Sequence, residues 1–418
     1  MSGSTRAAVA PADAVDGPEP RTYDGVVCFG GEDWWYHNRA HYDMQMMREL
    51  SADLPVLYVN SIGMRVPTPG EGGMFLRRVV RKLKSFSRGL VRVRERFWVQ
   101  SPVVVPGRRG MKLSGWLLPR QVRRAARRMG MRRPLVWVAC PPGIEAVDGL
   151  GDVAGLVYQR TDRFECYEGV DQALIASFDA ELKRRADLTL YCSRHLFEAE
   201  EGASRAAAFV DHGVDFDDFV RAGDDPDARG AAAPEALRAI PGPRAGFVGD
   251  IDAAVFDHEL MLEVARRAPE VQFVLVGGCT LPEGWSDGAP NVHLTGRVPY
   301  EEVMHTMAAM DVLLMPWHRS EWIEACNPIK LKEYLATGRP IVSTEFPELA
   351  SYEGLVDVAN DAEGFARAVR TAIAEPDSAR LERGRARVAE ASWTARSRSV
   401  RTELERVAQI RCQDHQQL

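Results

Sequence analysis

Asn327, Lys330 and Glu333 offer an amide, a cation and a carboxylate at three-residue spacing. On a helix that spacing sets them close to one face, where a single ligand can meet all three. The surrounding segment, DVLLMPWHRSEWIEACNPIKLKEYLATGRPIVST (residues 311–344), reads as strand, polar loop, helix, strand. Asn327 suits an N-cap, Pro328 the first helical position and Gly338 the position past the end, which predicts a helix over 328–337. Its free N–H groups and positive dipole end would face the crevice beyond the carboxyl end of strand DVLLMPW, so the predicted chemistry is anion binding. A nucleotide diphosphate sugar would use the whole set: the pyrophosphate on Lys330 and the helix start around Pro328 and Ile329, the ribose hydroxyls on Glu333. Each charge-assisted bond is worth about 1.5–3 kcal/mol. The competing reading, a surface Lys330–Glu333 pair, would contribute only about 0.2–0.5 kcal/mol to its own helix.

The elements that must position these groups divide the chain in two. Residues 1–22 are rich in Ala, Pro, Gly and Asp without apolar periodicity and are expected to form a disordered tail. Strand candidates GVVCFGG, PVLYVNS, PLVWVAC, GLVYQRT and DLTLYCS alternate with helix-like stretches, which defines a first α/β domain over 23–215. Residues 216–244 read as a polar, turn-forming linker. A second βα series follows over 245–376, and 377–418 reads as terminal helices. The fold class is therefore α/β, with two Rossmann-like parallel-sheet domains facing a cleft.

Seven cysteines without a C-x-x-C pair argue against a disulfide framework or structural zinc, and are expected to be mostly buried thiols. No apolar run of 18 residues and no signal-peptide pattern is present, so a cytoplasmic location is expected. Arginine far outnumbers the six lysines and alanine is abundant, a composition resembling that of GC-rich bacteria. Charge is unevenly spread. Residues 74–133 hold nineteen Lys or Arg against one acidic residue, Glu95, so the rest of a chain of net charge −6 carries −24. Within that stretch Leu76, Val79, Val80, Leu83, Phe86 and Leu90 recur at helical spacing with cations between them, a pattern suited either to an anionic membrane surface or to a phosphorylated acceptor. Nucleic acid is not an expected partner, because interleaved aromatic residues and a known motif are missing.

NPIKLKEYLATGRPIVST followed by FPEL resembles the donor-site segment of retaining GT-B glycosyltransferases of family four. HGVDFDDF (212–219), AGFVGDID, VQFVLVGG, NVHLTGRVPYEEV and DVLLMPW follow in that family's order, so the resemblance spans about residues 25–400. It implies transfer of a sugar from a UDP- or GDP-sugar to a small-molecule or lipid-linked acceptor with retention of configuration, in cell-envelope saccharide or natural-product synthesis. Lys330 would stabilise the departing diphosphate and Gly249, His318 and Arg319 would lie on the donor side. The terminal helices would cross back to the first domain. The chain departs from the family in three places. Ala325 stands where a first glutamate is usual, leaving Glu324 or Asn327 to replace it; Asp162 stands near a usual histidine; Asp250 and Asp252 stand where a basic residue is usual. In the first βα junction, CFGGEDWWYHNRAHYD, paired glycines allow close backbone approach. By resemblance Gly30 and Gly31 face the donor diphosphate across the cleft, with Asp33, His37, Asn38 and Arg39 as candidates for acceptor or sugar contacts; after a later strand, Arg163 is placed either to bind an anionic acceptor or to pair with Asp162. No cofactor and no required metal is expected. Loss of the first glutamate and of the histidine also keeps open a noncatalytic nucleotide-sugar-binding subunit, and the same fold carries isomerases and phosphorylases.

Overall fold

A computed structural model describes residues 22–36, 41–64, 73–104 and 108–416; His37, Asn38 and Arg39 lie outside the described residues. Eight strands, β1 (Val26–Phe29), β2 (Val56–Val59), β3 (Leu90–Arg94), β4 (Phe97–Gln100), β5 (Leu135–Val138), β6 (Gly155–Arg160), β7 (Leu188–Tyr191) and β8 (Ala207–Phe209), form one sheet in the order β3-β4-β2-β1-β5-β6-β7-β8. Only the β3–β4 hairpin is antiparallel. A second, all-parallel sheet has the order β11-β10-β9-β12-β13-β14, built from β9 (Arg244–Val248), β10 (Gln272–Val276), β11 (Val292–Gly296), β12 (Val312–Met315), β13 (Ile341–Ser343) and β14 (Asp357–Val358). The runs VVCF, VLYV and LVWV are buried at every position, as strands covered by helices on both faces must be. β3 is different: LVRVR alternates along a half-exposed edge and was hidden from the sequence by its arginines.

The first-sheet helices are α1 (Tyr42–Leu50), α2 (Gly73–Arg88), α3 (Arg108–Arg128), α4 (Ile144–Val147), α5 (Gln172–Arg185) and α6 (Arg194–Glu200). Around the second lie α7 (Phe216–Asp224), α8 (Glu235–Arg238), α9 (His258–Arg267), α10 (Tyr300–Ala308), α11 (Glu321–Glu324), α12 (Ile329–Thr337), α13 (Ala362–Ala374) and α14 (Ser378–Val388), and α15 (Trp393–Gln416) ends the chain. Residues 216–244 are not a free linker. Phe219 of α7, Leu237 of α8 and Ile240 just after it are buried in the second-sheet core, a sparse apolar set among polar and turn-forming residues. The terminal helices part company: α14 buries Val388 in that same core, whereas α15 places Val400, Leu404 and Val407 in the core of the first sheet. The basic helix is also shorter than its periodicity suggested, since it stops at Arg88 and Leu90 opens β3. None of the seven cysteines forms a disulfide, but only Cys28, Cys140 and Cys192 are buried; Cys166, Cys326 and Cys412 are half-buried and Cys279 is exposed.

In each sheet the chain winds outward in both directions from its first strand. β1 sits between β2 and β5, and β9 between β10 and β12, so a switch point opens beyond the carboxyl end of each. Gly30 follows β1, Gly249 follows β9, and α12 starts beside the second switch point after β12.

Candidate active site

Helix α12 begins one residue later than predicted, at Ile329, with Pro328 in the extended N-cap position and Gly338 in the left-handed conformation (φ 70°) that ends it. Asn327 is not the cap. Its Nδ2 instead donates to the Cys192 carbonyl (2.8 Å) and to Asp211 Oδ1 (2.7 Å), both in the first domain. The local cap signal lost to a buried partner that only folding brings near. Pro328 has no N–H, so the first groups the helix can offer an anion are the Ile329 and Lys330 N–H. The Ile329 side chain packs on the first-domain core, which leaves only its backbone for a ligand.

Lys330 Nζ lies 4.6 Å from the Phe247 ring centre and 5.3 Å from that of Trp317, above the end of β9. A Cβ on Gly249 would sit 2.4 Å from this ammonium, and one on Gly277 would sit 1.8 Å from the Gly249 carbonyl oxygen. Glycine at both positions is what lets backbone and cation converge at the switch point. Burial holds the Lys330 pKa below its ordinary value, opposed by Cys326, Glu333, Asp250 and Asp252. Glu333, one turn on, is buried; its Oε1 has no hydrogen-bond partner. Burial pushes its carboxyl up to about 7, against the pull of Lys330. Beside it the Tyr300 hydroxyl donates to Asp215 Oδ2 (3.2 Å), and Asp215 Oδ1 pairs with Arg48 of the first domain (2.9 Å). A half-buried ammonium beside a buried carboxyl with one unpartnered oxygen is an arrangement that could meet a ligand bearing both anionic oxygens and hydroxyls.

Such a carboxyl costs the folded protein stability. Glu333 is protonated in both states below pH ~4.3; as pH rises to about 7 only the unfolded chain releases the proton, so stability falls across that window and then levels. Glu333→Gln is expected to stabilise the empty protein at pH 8 by on the order of 3 kcal/mol and to change it little at pH 4, as read by urea unfolding at the two pH values.

The other sequence-derived candidates are distributed as follows. Asp162 is half-buried and accepts from Tyr167 OH (3.0 Å) and from Trp322 Nε1 of α11 (3.4 Å), rather than pairing with Arg163; burial raises its pKa against these two bonds. The Tyr167 and Trp322 rings also pack at a tilt, with centres 4.8 Å apart, so this contact joins the two domains. Ala325 is buried against Tyr191 and Leu196, and Glu324 is exposed on the rim of a cavity of about 610 Å3 that it shares with Arg319, Glu345, Phe346 and Tyr352. That cavity lies toward β13 and β14. Arg319 pairs with Glu345, and His318 Nδ1 stands 3.5 Å from Asp257 Oδ2. Neither is drawn to the α12 start. Arg163 caps a short 3₁₀ turn over Phe164–Cys166.

In the first junction, Gly30 is required by packing, since a Cβ there would collide with the Tyr58 ring at 2.1 Å, and the Gly31 N–H donates to Asp43 (2.8 Å). Asp33 is engaged by Ser85 Oγ (2.8 Å) and by the Trp35 N–H (3.0 Å). Trp34 packs on Phe97 and Tyr58 in the core. Asp250 pairs with Arg297 (2.8 Å), which follows β11 and lies over Gly278, and Asp252 caps the N–H groups of Ala254 and Val255. Arg297 thus brings a cation to the β9 and β10 ends where the sequence offered only aspartates. Arg297, Tyr300 and Trp322 were missed. The first was legible as a basic residue directly after strand NVHLTG; the others had no local signal.

Two largely parallel-sheet domains with switch points facing one cleft define the GT-B architecture, and the second sets a cation and a carboxyl at a helix start beside its switch point. Residues 242–375 match the family described as "Glycosyl transferases group 1". Over 193 residues the chain is 28% identical to the "Putative teichuronic acid biosynthesis glycosyltransferase TuaH" of Bacillus subtilis (strain 168), an alignment covering 43% of this chain and 46% of that relative, so the chain spans about half the length of the curated relative it matches. Its fold is similar to that of sucrose-phosphate synthase from Thermosynechococcus elongatus (TM-score 0.69, 16% identity, 92% of this chain and 99% of the other). Anabaena Alr3699/HepE, solved with UDP and glucose, superposes with a TM-score of 0.63 at 14% identity over 91% of this chain and 99% of its own. The E. coli trehalose-6-phosphate protein bound with UDP-2-fluoro glucose does so at 0.60 and 10%, over 91% and 98%.

Proposed function

We propose that this protein transfers a sugar from a nucleotide diphosphate donor, UDP- or GDP-linked, to an acceptor with retention of anomeric configuration, in the cytoplasm and in cell-envelope saccharide or natural-product synthesis. The observation that carries the reading is the convergence of Lys330, the Ile329 and Lys330 N–H groups and Glu333 at the β9 switch point, with Gly249 and Gly277 clearing the space. The diphosphate would lie on the cation and helix start, and the ribose hydroxyls would fill the vacant Glu333 Oε1. As the glycosidic bond breaks, charge grows on the departing diphosphate, and the preorganised ammonium and N–H groups stabilise it without a required metal. The family match, the teichuronic-acid relative and the nucleotide-bound structural neighbours support this reading.

The test is calorimetric binding of UDP, GDP and dTDP to the purified protein and to Glu333→Ala. One nucleotide should bind, at least tenfold more weakly (about 1.4 kcal/mol) to the variant. Absence of binding to all three would overturn the reading. A noncatalytic donor-binding subunit is favoured by one observation, the burial of Ala325, packed against Tyr191 and Leu196 where a first glutamate is usual. Donor-dependent turnover on an acceptor decides against it.

A further inference from the structure

Seven large apolar side chains stand exposed among the described residues, and four of them, Val80 (41%), Leu83 (59%), Val103 (47%) and Trp116 (55%), fall within the segment that carries eighteen surplus positive charges. A helix that merely displayed solvated arginines would have no use for exposed leucine and tryptophan beside them. We propose that this part of the first domain, α2 with Val103 and the turn of α3 around Trp116, is a docking surface for an anionic lipid bilayer.

Placement on the fold supports the assignment. α2 is fixed to the carboxyl rim of the first sheet through Ser85, whose hydroxyl contacts Asp33 (2.8 Å), Ser101 (3.0 Å) and Asn60 (3.3 Å), residues that follow β1, β4 and β2. With Ser85 turned inward, Val80, Arg81, Leu83 and Lys84 remain exposed on the outer side of the helix. Val103 follows β4 on the same rim, its backbone held at both ends by Gln121 of α3 (3.0 and 2.9 Å). Trp116, five residues before that glutamine, carries the Arg120 guanidinium 4.0 Å from its ring centre. Arg88 covers Trp35 at 4.5 Å, next to the Gly30–Gly31 junction. Cations interleaved with partly exposed aliphatic and indole groups suit an interface in which guanidinium and ammonium meet lipid phosphates while the apolar tips enter the headgroup layer. Among the described residues no helix is long and apolar enough to cross a membrane, so the attachment is peripheral. The rim is the lip of the interdomain cleft. Docking there turns the cleft mouth to the bilayer and gives access to a membrane-borne, lipid-linked acceptor; that last step rests on the glycosyl-transfer reading, while adsorption does not.

The experiment is co-sedimentation of the full chain with vesicles of phosphatidylcholine alone and of phosphatidylcholine with 30% phosphatidylglycerol, alongside nucleotide calorimetry on the same preparation. Binding at least tenfold stronger to the anionic vesicles is expected. The pair Leu83→Glu and Trp116→Glu should reduce it at least tenfold with unchanged thermal melting. The control pair Leu294→Glu and Val358→Glu, exposed apolar residues elsewhere, should leave it unchanged. Equal or absent binding to both vesicle types, indifference to the Leu83 and Trp116 changes, or preferential capture by duplex DNA or RNA that vesicles fail to displace would overturn the proposal. Nucleotide binding lost with vesicle binding kept would sink the transfer reading and leave the docking surface standing.

Discussion

Lys330→Ala is expected to lower kcat/KM with the nucleotide-sugar donor by about 10²–10³-fold, the cost of deleting one preorganised group from a site of developing charge. Two features set the size. The half-buried ammonium lies over Phe247 and Trp317, so its interaction with a diphosphate is screened less than it would be in open water. It also stands at the helix start, where the Ile329 and Lys330 N–H groups act on the same oxygens. Stability should move the other way. Burial depresses the Lys330 pKa, which means the empty folded protein bears a cost for holding that charge, and removing it should leave the melting temperature unchanged or raised. A residue present for stability would lose both together. Gly249→Ala supplies an independent check on geometry: at φ 158° its Cβ would sit 2.4 Å from Nζ and 3.0 Å from the Phe247 ring, so it should displace the ammonium and cost activity together with some stability, unlike Lys330→Ala. Steady-state kinetics and melting curves for the two variants read the result. Unaltered turnover in Lys330→Ala would remove the lysine from the mechanism.

What the sequence disclosed follows the range over which each signal acts. Helix α12 was legible because its information is local: a proline at the start and a glycine at the left-handed end. Lys330 and Glu333 came with it, since three-residue spacing fixes their relation before any tertiary contact exists. The five apolar strands of the first sheet were legible from continuous hydrophobic runs. Asn327 shows where this ends. Its type and position satisfy the N-cap rule, yet its amide is taken by Asp211, 116 residues away. Arg319 and His318 follow the right strand, but Glu345 and Asp257 claim them. Tyr300, Trp322 and Arg48 reach the site from three separate elements, and no periodicity links them. Edge strand β3 and helix α7 were obscured for another reason: the sequence displays their charges, while the few apolar residues that decide their packing are sparse.

Asp211→Ala is expected to destabilise the protein by about 3–5 kcal/mol, because it strands a buried cation. Lys332 Nζ lies 2.7 Å from Asp211 Oδ1, and its side chain is 2% exposed. The same carboxylate accepts from Asn327 Nδ2 at 2.7 Å and faces Arg396 of α15 at 3.6 Å, so one residue after β8 ties α12 and the terminal helix to the first domain. Burial alone would raise the Asp211 pKa, but Lys332, with His212 and Arg396, pulls it below the ordinary value. Its contribution is therefore fully present above the unfolded aspartate pKa of ~3.9 and is lost as pH falls through the lower folded value. Asp211→Asn keeps an acceptor and loses the charge, so it should be milder than alanine and should flatten the acid limb. Adding Lys332→Met to Asp211→Ala should recover part of the loss, since no unpaired charge is left inside. Urea unfolding of the four proteins at pH 7 and of the Asn variant across the acid range measures each step. If the double variant were no more stable than Asp211→Ala, the cost would lie in lost packing and not in the stranded ammonium. Lys332 shares α12 with Lys330 and Glu333, so the clamp that holds the domains together also sets the helix that would carry the donor, and Asp211→Ala should raise the donor KM as well as lower stability.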